Sequence, residues 1–248
     1  LTKLCDETVE EKNRLQFESD QTAARLVRAE KLTNGLNSEG VRWKEAIVTL
    51  TEEHTALIGD CFLSCACISY YGGFTGKYRE ELIQLWLDKA QKLQIPTSPQ
   101  FILSKVLGDP VKIREWQNQG LPTDDVSVNN GILVDKCRRW PLLIDPQMQG
   151  NSWLRKKEEQ NDVQISTMND SNLLRVLEKC IRLGLPLLLE DLTEQMEPAL
   201  EPILQKAIFK NGARKLIRLG DSDVDYDDAF KLYMTTKMPN PHYLPEVC

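Results

Sequence analysis

The sequence predicts an α/β protein in which a parallel-sheet domain is preceded by a helical segment and a long coiled-coil-like helix. Three observations carry this expectation. Residues 1–36 contain no proline and no glycine before Gly35, and are rich in Glu, Lys, Arg, Gln and Ala, most of them good helix formers. Apolar residues then keep a helical spacing to about residue 95. From about 138 the period changes to short apolar runs alternating with helix-type segments, as when parallel strands are joined by crossover helices.

In the first segment Leu1, Leu15, Ala29 and Leu36 fall on one seven-residue register, with Thr8 and Thr22 filling its gaps, and Cys5, Leu26 and partly Leu4 and Leu32 lie in a row beside it. An amphipathic helix of roughly 50 Å that needs a partner strand is expected. NGLNSEG (34–40) is expected to break it. A second helix should run from about Val41 to Tyr71, carrying Trp43, Ile47, Leu50, Leu57, Cys61 and Ile68. Its last turns are apolar nearly all round, which implies burial among helices. Gly72 and Gly73 end it, Thr75 offers a cap for a third helix over 76–93, and IPTSP stops that one. A short helix near 100–107 and a loop containing Pro110 and Pro122 follow. Strands are expected at 141–145, 163–167, 185–191, 215–221 and 231–237. Helices at 152–160, 170–183 and 195–210 separate them, with Gly184 and Gly212 as stops. No helix separates 215–221 from 231–237, so that pair reads as a hairpin.

A net charge of −6 gives no general footprint for nucleic acid or an anionic membrane, and neither is an expected partner. No apolar run approaches the ~20 residues of a bilayer span. Seven scattered cysteines and two histidines without a CxxC pair argue against a metal site and for buried, reduced thiols. Acids at 221, 223, 225, 227 and 228 imitate the start of a calcium loop, but Tyr226 holds its glycine position and Leu232 its glutamate position. A chain that starts at Leu1 in mid-pattern is expected to be a piece of a longer one.

The stretch WPLLIDPQMQGNSW (140–153) carries the chemistry. A strand, a loop and a helix are the context of a phosphate loop, G-x-x-x-x-G-K-[ST]. Aligned on the strand end, Gly150 and Ser152 keep the second glycine and the metal-binding hydroxyl, while Asp145 replaces the first glycine and Asn151 the lysine. Losing that cation costs a few kcal/mol of phosphate attraction in a partly desolvated site. Asp145 sets a carboxylate where amides should meet an anion, and Pro146 removes one amide. LPLLLED ends in Glu190-Asp191, the acidic pair of a hydrolytic site in reversed order, and Asn240 is a candidate polar sensor. The expectation is a vestigial nucleotide site with no catalytic residue and no metal. A weakly active ATPase using Gly150, Ser152, Glu190 and Asp191 is the alternative.

GDPVKIREWQNQGLPTDD, RRWPLLIDPQMQGNSWL, LIRLGDSDVDY and TTKMPNPHYLPEV resemble the fifth AAA+ module of dynein heavy chains. VRWKEAIVTL and LIGDCFLSCACISYYGGFTGKYREEL resemble the segment between stalk and fifth module, and NPHYLPEV and FTGKYREEL are closer to axonemal than cytoplasmic dyneins. The resemblance implies a P-loop-type AAA+ large domain over 98–248, helices ending the fourth module's small domain over 41–95, and the base of the returning stalk helix over 1–36. It further implies a force-transmitting ring segment of a microtubule motor that does not hydrolyse ATP itself. No cofactor is expected in this stretch, with Mg-ATP held at other modules of the parent chain. Implied partners are neighbouring AAA+ modules, the opposing stalk helix, microtubules through the distal stalk, and dynein intermediate and light chains through other regions. The implied location is the cytoskeleton, in the axoneme of a cilium or flagellum. Trp116 is expected either at the base side of a nucleotide pocket or packed between ring modules.

Overall fold

A computed structural model describes residues 2–194 and 196–243, with side chains from residue 8 onward. Leu1, Cys5 and Leu4, expected along the helix seam, have side chains outside the described residues. The chain divides into two units, Leu1–Gly59 with Ala90–Pro99, and Asp60–Lys89 with Gln100–Cys248.

Helix α1 runs unbroken from Thr2 to Tyr70, so NGLNSEG does not end it. Two interior glycines cost about 2 kcal/mol. A break would instead leave orphan N–H and C=O groups at two new termini, with no proline present to force it. Ser38 turns its hydroxyl back onto the Gly35 carbonyl at 2.7 Å. Within the first unit Gly59 donates its N–H to the Pro96 carbonyl at 3.1 Å. Helix α2 spans Gly76–Lys92, close to expectation. One 18-residue window of α1 does have the length and apolar content of a bilayer span, against the sequence reading. Part of that apolarity serves packing, since Leu63, Cys67 and Tyr71 are buried in the second unit's core. Cys61 and Cys65 are exposed on the same helix, so among the described residues the expected buried thiols are Cys67 and Cys180, with Cys137 half-buried.

The second unit is built on a four-stranded parallel sheet of order β1-β7-β3-β2: β1 (Leu142–Ile144), β2 (Gln164–Thr167), β3 (Pro186–Glu190) and β7 (Lys231–Thr236). Side chains alternate across the sheet. Leu187, Leu189, Leu232 and Met234 pack on α7 (Leu173–Leu183) through Leu177, Cys180 and Ile181. Leu188 and Tyr233 point the other way, onto Trp153 and Leu154 of α6 (Gln149–Lys157) and Trp116 of α4 (Pro110–Asn118). Gly184 ends α7 at φ 68°.

Three expectations fail here for local reasons. The loop expected to hold Pro110 and Pro122 is mostly helix: α3 (Leu103–Val106) is followed by α4, which starts at Pro110, and by α5 (Asp125–Lys136), while Pro122 does lie in the connection between those two. Asp109 caps α4 by accepting from the Val111 N–H at 2.9 Å with Pro110 at the first helical position, and Asp124 caps α5 through Ser127 at 2.9 Å. The 195–210 helix is stopped by Pro198 and Pro202, leaving a 3-10 turn and the single-turn α8 (Glu201–Leu204) before strand β4 (Ile208–Asn211). The hairpin does not join 215–221 to 231–237. Strand β5 (Arg214–Leu219) pairs antiparallel with β4, around Gly212 at φ 63°, and with β6 (Ser222–Asp225), around Gly220 at φ 58°. Strand β7 is buried on both faces from Leu232 to Thr236, which places it inside the parallel sheet rather than on a half-solvated ribbon.

Candidate functional site

The end of β1, the start of α6 and the ends of β3 and β7 converge on the loop singled out in the sequence. Asp145 extends the β1–β7 pairing, donating its N–H to the Thr236 carbonyl at 2.8 Å. The chain then turns through Pro146 and Gln147 to Met148, which takes a left-handed conformation (φ 61°) and precedes the first turn of α6. The Asp145 carboxylate folds over that turn: Oδ1 accepts from the Gln149 N–H at 3.0 Å and Oδ2 from the Asn151 N–H at 2.8 Å. The first-turn donors a phosphate loop offers to its ligand are thus engaged by the protein's own anion. Gly150 permits the close fold, because a Cβ there would lie 2.7 Å from Leu143 Cδ2.

Asn151, at the lysine position, is buried and ties the loop to the acidic strand end. Its Nδ2 donates to Glu190 Oε1 at 2.7 Å and to Thr235 Oγ1 at 3.3 Å, and its Oδ1 accepts from Arg155 Nε at 3.0 Å. Arg155 also grips Glu190 Oε1, through Nε at 3.0 Å and through Nη2. Asp191, in a left-handed conformation (φ 52°), points away to an exposed ion pair with Lys237 at 2.8 Å. Ser152 Oγ donates to the Met148 carbonyl at 2.8 Å rather than facing the loop. The structure therefore gathers Asp145, Gly150, Asn151 and Glu190. It separates Ser152 and Asp191 from them and leaves Asn240 exposed in the bend after β7.

The groups that would meet Mg-ATP at this position are already paired within the chain. Glu190 is neutralised by Arg155, the two carboxylates diverge, and a triphosphate entering the loop would meet the charge of Asp145 with no lysine to balance it. Among the described residues no three His, Cys, Asp or Glu side chains are placed to hold a metal ion. The acids of 221–228 are spent largely on ion pairs with β5: Arg218 with Asp223 at 3.1 Å, Arg214 with Asp225 at 3.7 Å, and Lys215 with Asp228. Trp116 packs within its own unit. It is buried inside the second unit, edge-on to Trp153 with ring centroids 6.0 Å apart.

Sequence reading missed Arg155, Thr235 and Lys237. Arg155 had a signal, standing four residues after Asn151 and hence on the same helix face. It also missed a buried polar knot at the far end of α6. There Glu158, 1% exposed, accepts from Tyr233 Oη at 2.6 Å, Lys157 Nζ at 2.9 Å and Asn161 Nδ2 at 2.6 Å, with Lys231 Nζ at 3.4 Å. Burial alone would raise the Glu158 carboxyl, but the Tyr233 hydroxyl, the Lys157 ammonium and Asn161 outweigh it and hold it at about 2. Burial and the adjacent carboxylate push the Tyr233 phenol well above its usual range.

A strand–loop–helix of phosphate-loop form set in a parallel sheet, in a chain that also carries a long helix with exposed apolar residues, defines a P-loop-type module joined to a long helix. Residues 114–248 match the family described as the ATP-binding dynein motor region, and residues 1–89 match the microtubule-binding stalk of the dynein motor. The chain belongs to the dynein motor-region family. It is 56% identical over 243 residues to dynein axonemal heavy chain 6 of Homo sapiens, 98% of this chain and 6% of that one. It is 46% identical over 223 residues to dynein axonemal heavy chain 3 of Homo sapiens, 90% of this chain and 5% of that one. Against dynein axonemal heavy chain 2 of Mus musculus it is 42% identical over 229 residues, 92% of this chain and 5% of that one. The chain thus spans about a twentieth of the length of these relatives.

Proposed function

We propose that this chain is a mechanical segment of an axonemal dynein heavy chain, carrying conformational change between the motor's AAA+ ring and its microtubule-binding stalk without hydrolysing nucleotide itself. Residues 1–36 are the base of the returning stalk helix, 41–95 the helices closing the fourth module, and 98–248 the large domain of the fifth. The opposing stalk helix and neighbouring modules are its direct partners. Microtubules are reached through the distal stalk, intermediate and light chains through other regions of the parent. Mg-ATP acts at other modules, and the location is the axoneme of a cilium or flagellum.

The observation that carries this reading is one chain joining an unbroken helix with an exposed apolar seam to a phosphate-loop position whose amides and strand-end acid are already paired. A helix without a hinge transmits displacement along its axis, whereas a flexible connection at 34–40 would absorb it. Replacing residues 34–40 by a flexible Gly-Ser stretch in the intact motor is expected to uncouple ATP turnover from microtubule release. Unchanged ATP-dependent release would contradict the reading. The family's description as ATP-binding favours the rival, a weakly active module using Gly150, Ser152, Glu190 and Asp191. That rival requires ATP turnover by this chain, lost in Glu190→Gln.

A further inference from the structure

We propose that Asp145 is a tethered anion that locks the loop, its carboxylate standing at the start of α6 in the place an incoming phosphate would take. The inference rests on reading Asp145–Ser152 as a phosphate-loop position, and it names what keeps that position closed. Both oxygens are engaged, by the Gln149 and Asn151 amides at 3.0 and 2.8 Å. A negative group over the first turn of a helix is favoured by the helix dipole as well as by the amides. Gly150 leaves room for it, since a Cβ there would stand 3.4 Å from Asp145 Oδ2 besides crowding Leu143.

The lock extends across the sheet through Asn151. Its N–H serves Asp145, while its side chain donates to Glu190 and accepts from Arg155. Arg155, the cation at this cluster, is committed to Glu190 and unavailable to a ligand. A carboxylate four residues from its amide partner is present at a high effective concentration. Free phosphate must displace it and then lie beside its charge. The loop therefore holds a ligand-occupied arrangement with its own side chain as the ligand.

The test follows thermal unfolding of the 248-residue chain while inorganic pyrophosphate is titrated in at constant ionic strength. The wild-type melting temperature is expected to stay fixed. Asp145→Gly should melt lower and be restored by pyrophosphate, with an apparent affinity at least about tenfold above any response of the wild type. Asp145→Asn, which keeps the size without the charge, should be destabilised and recover less. A folded Asp145→Gly indifferent to pyrophosphate would overturn the lock, as would equal responses from both chains. Its failure would leave nucleotide incompetence of the wild type standing, whereas Mg-ATP binding by the wild type would sink the proposed function. Should Asp145→Gly not fold, the wild type still decides. The Gln149 and Asn151 amide hydrogens must be protected from exchange in the wild type, as hydrogen-bonded donors are, and rapid exchange at both would refute the proposal.

Discussion

Tyr233 and Lys157 hold Glu158 in its charged form inside the second unit, so the knot has a pH signature. A carboxyl that falls from the usual 4.5 to about 2 on folding stabilises the folded chain above the unfolded value and loses that contribution as pH drops through the folded one. The effect is on the order of 3 kcal/mol, fully present above about pH 5. Glu158→Gln should therefore cost about 3 kcal/mol at pH 6 in urea unfolding, with a difference from wild type that shrinks steadily from pH 4.5 to pH 3. A constant difference across that range would show that the charge is not what is lost. Met148 gives the opposite sign. A side chain at φ 61° costs about 1–2 kcal/mol, so Met148→Gly should stabilise the chain by roughly 0.5–1 kcal/mol. At this scale the sequence showed which residues depart from the phosphate-loop pattern, Asp145 and Asn151, because a charge type can be read from a letter. Where their side chains would go was hidden. Arg155, Lys237 and Tyr233 find their partners 35 to 75 positions away, and no local pattern marks such pairs.

Among the elements, α1 departs most from expectation, and its continuity puts Leu36, Trp43, Leu50 and Leu57 on one seven-residue register with Ile47 beside them, all exposed. Gly40→Ala tests that continuity, since an added Cβ meets nothing within 4 Å. It should stabilise the helix by about 1 kcal/mol and slow amide exchange over residues 36–44, whereas in a glycine-dependent turn the same change would weaken the chain. Gly59→Ala should do the reverse, costing about 2–3 kcal/mol, because its Cβ would lie 2.2 Å from the Pro96 carbonyl oxygen and 2.5 Å from Thr97 Cγ2. Helix α7 and strands β1, β2 and β3 were legible from apolar runs and Gly184. Helix α4, with Pro110 in its first turn, and helix α5, with Pro122 just before it, escaped because those prolines drew attention from the caps Asp109 and Asp124. Strand β7 was visible as a strand, but its neighbours were not: pairing in a parallel sheet is decided by what covers both faces, and Leu232, Tyr233 and Met234 reveal that only when packed.

For the whole molecule, the class of fold was readable from the change of period near residue 138, and the family from extended blocks rather than any short motif. The distribution of chemistry was not, since it depends on Asn151 and Arg155 drawing Glu190 into the sheet end while Asp191 turns out to Lys237. What results is a strand–loop–helix of nucleotide-binding form whose loop amides are held by Asp145 and whose Glu190 is held by Arg155, in a chain that also carries a long helix with exposed apolar residues. Calorimetric titration of the 248-residue chain with Mg-ATP tests this most directly. The account predicts no saturable heat up to millimolar nucleotide, and micromolar binding would contradict it.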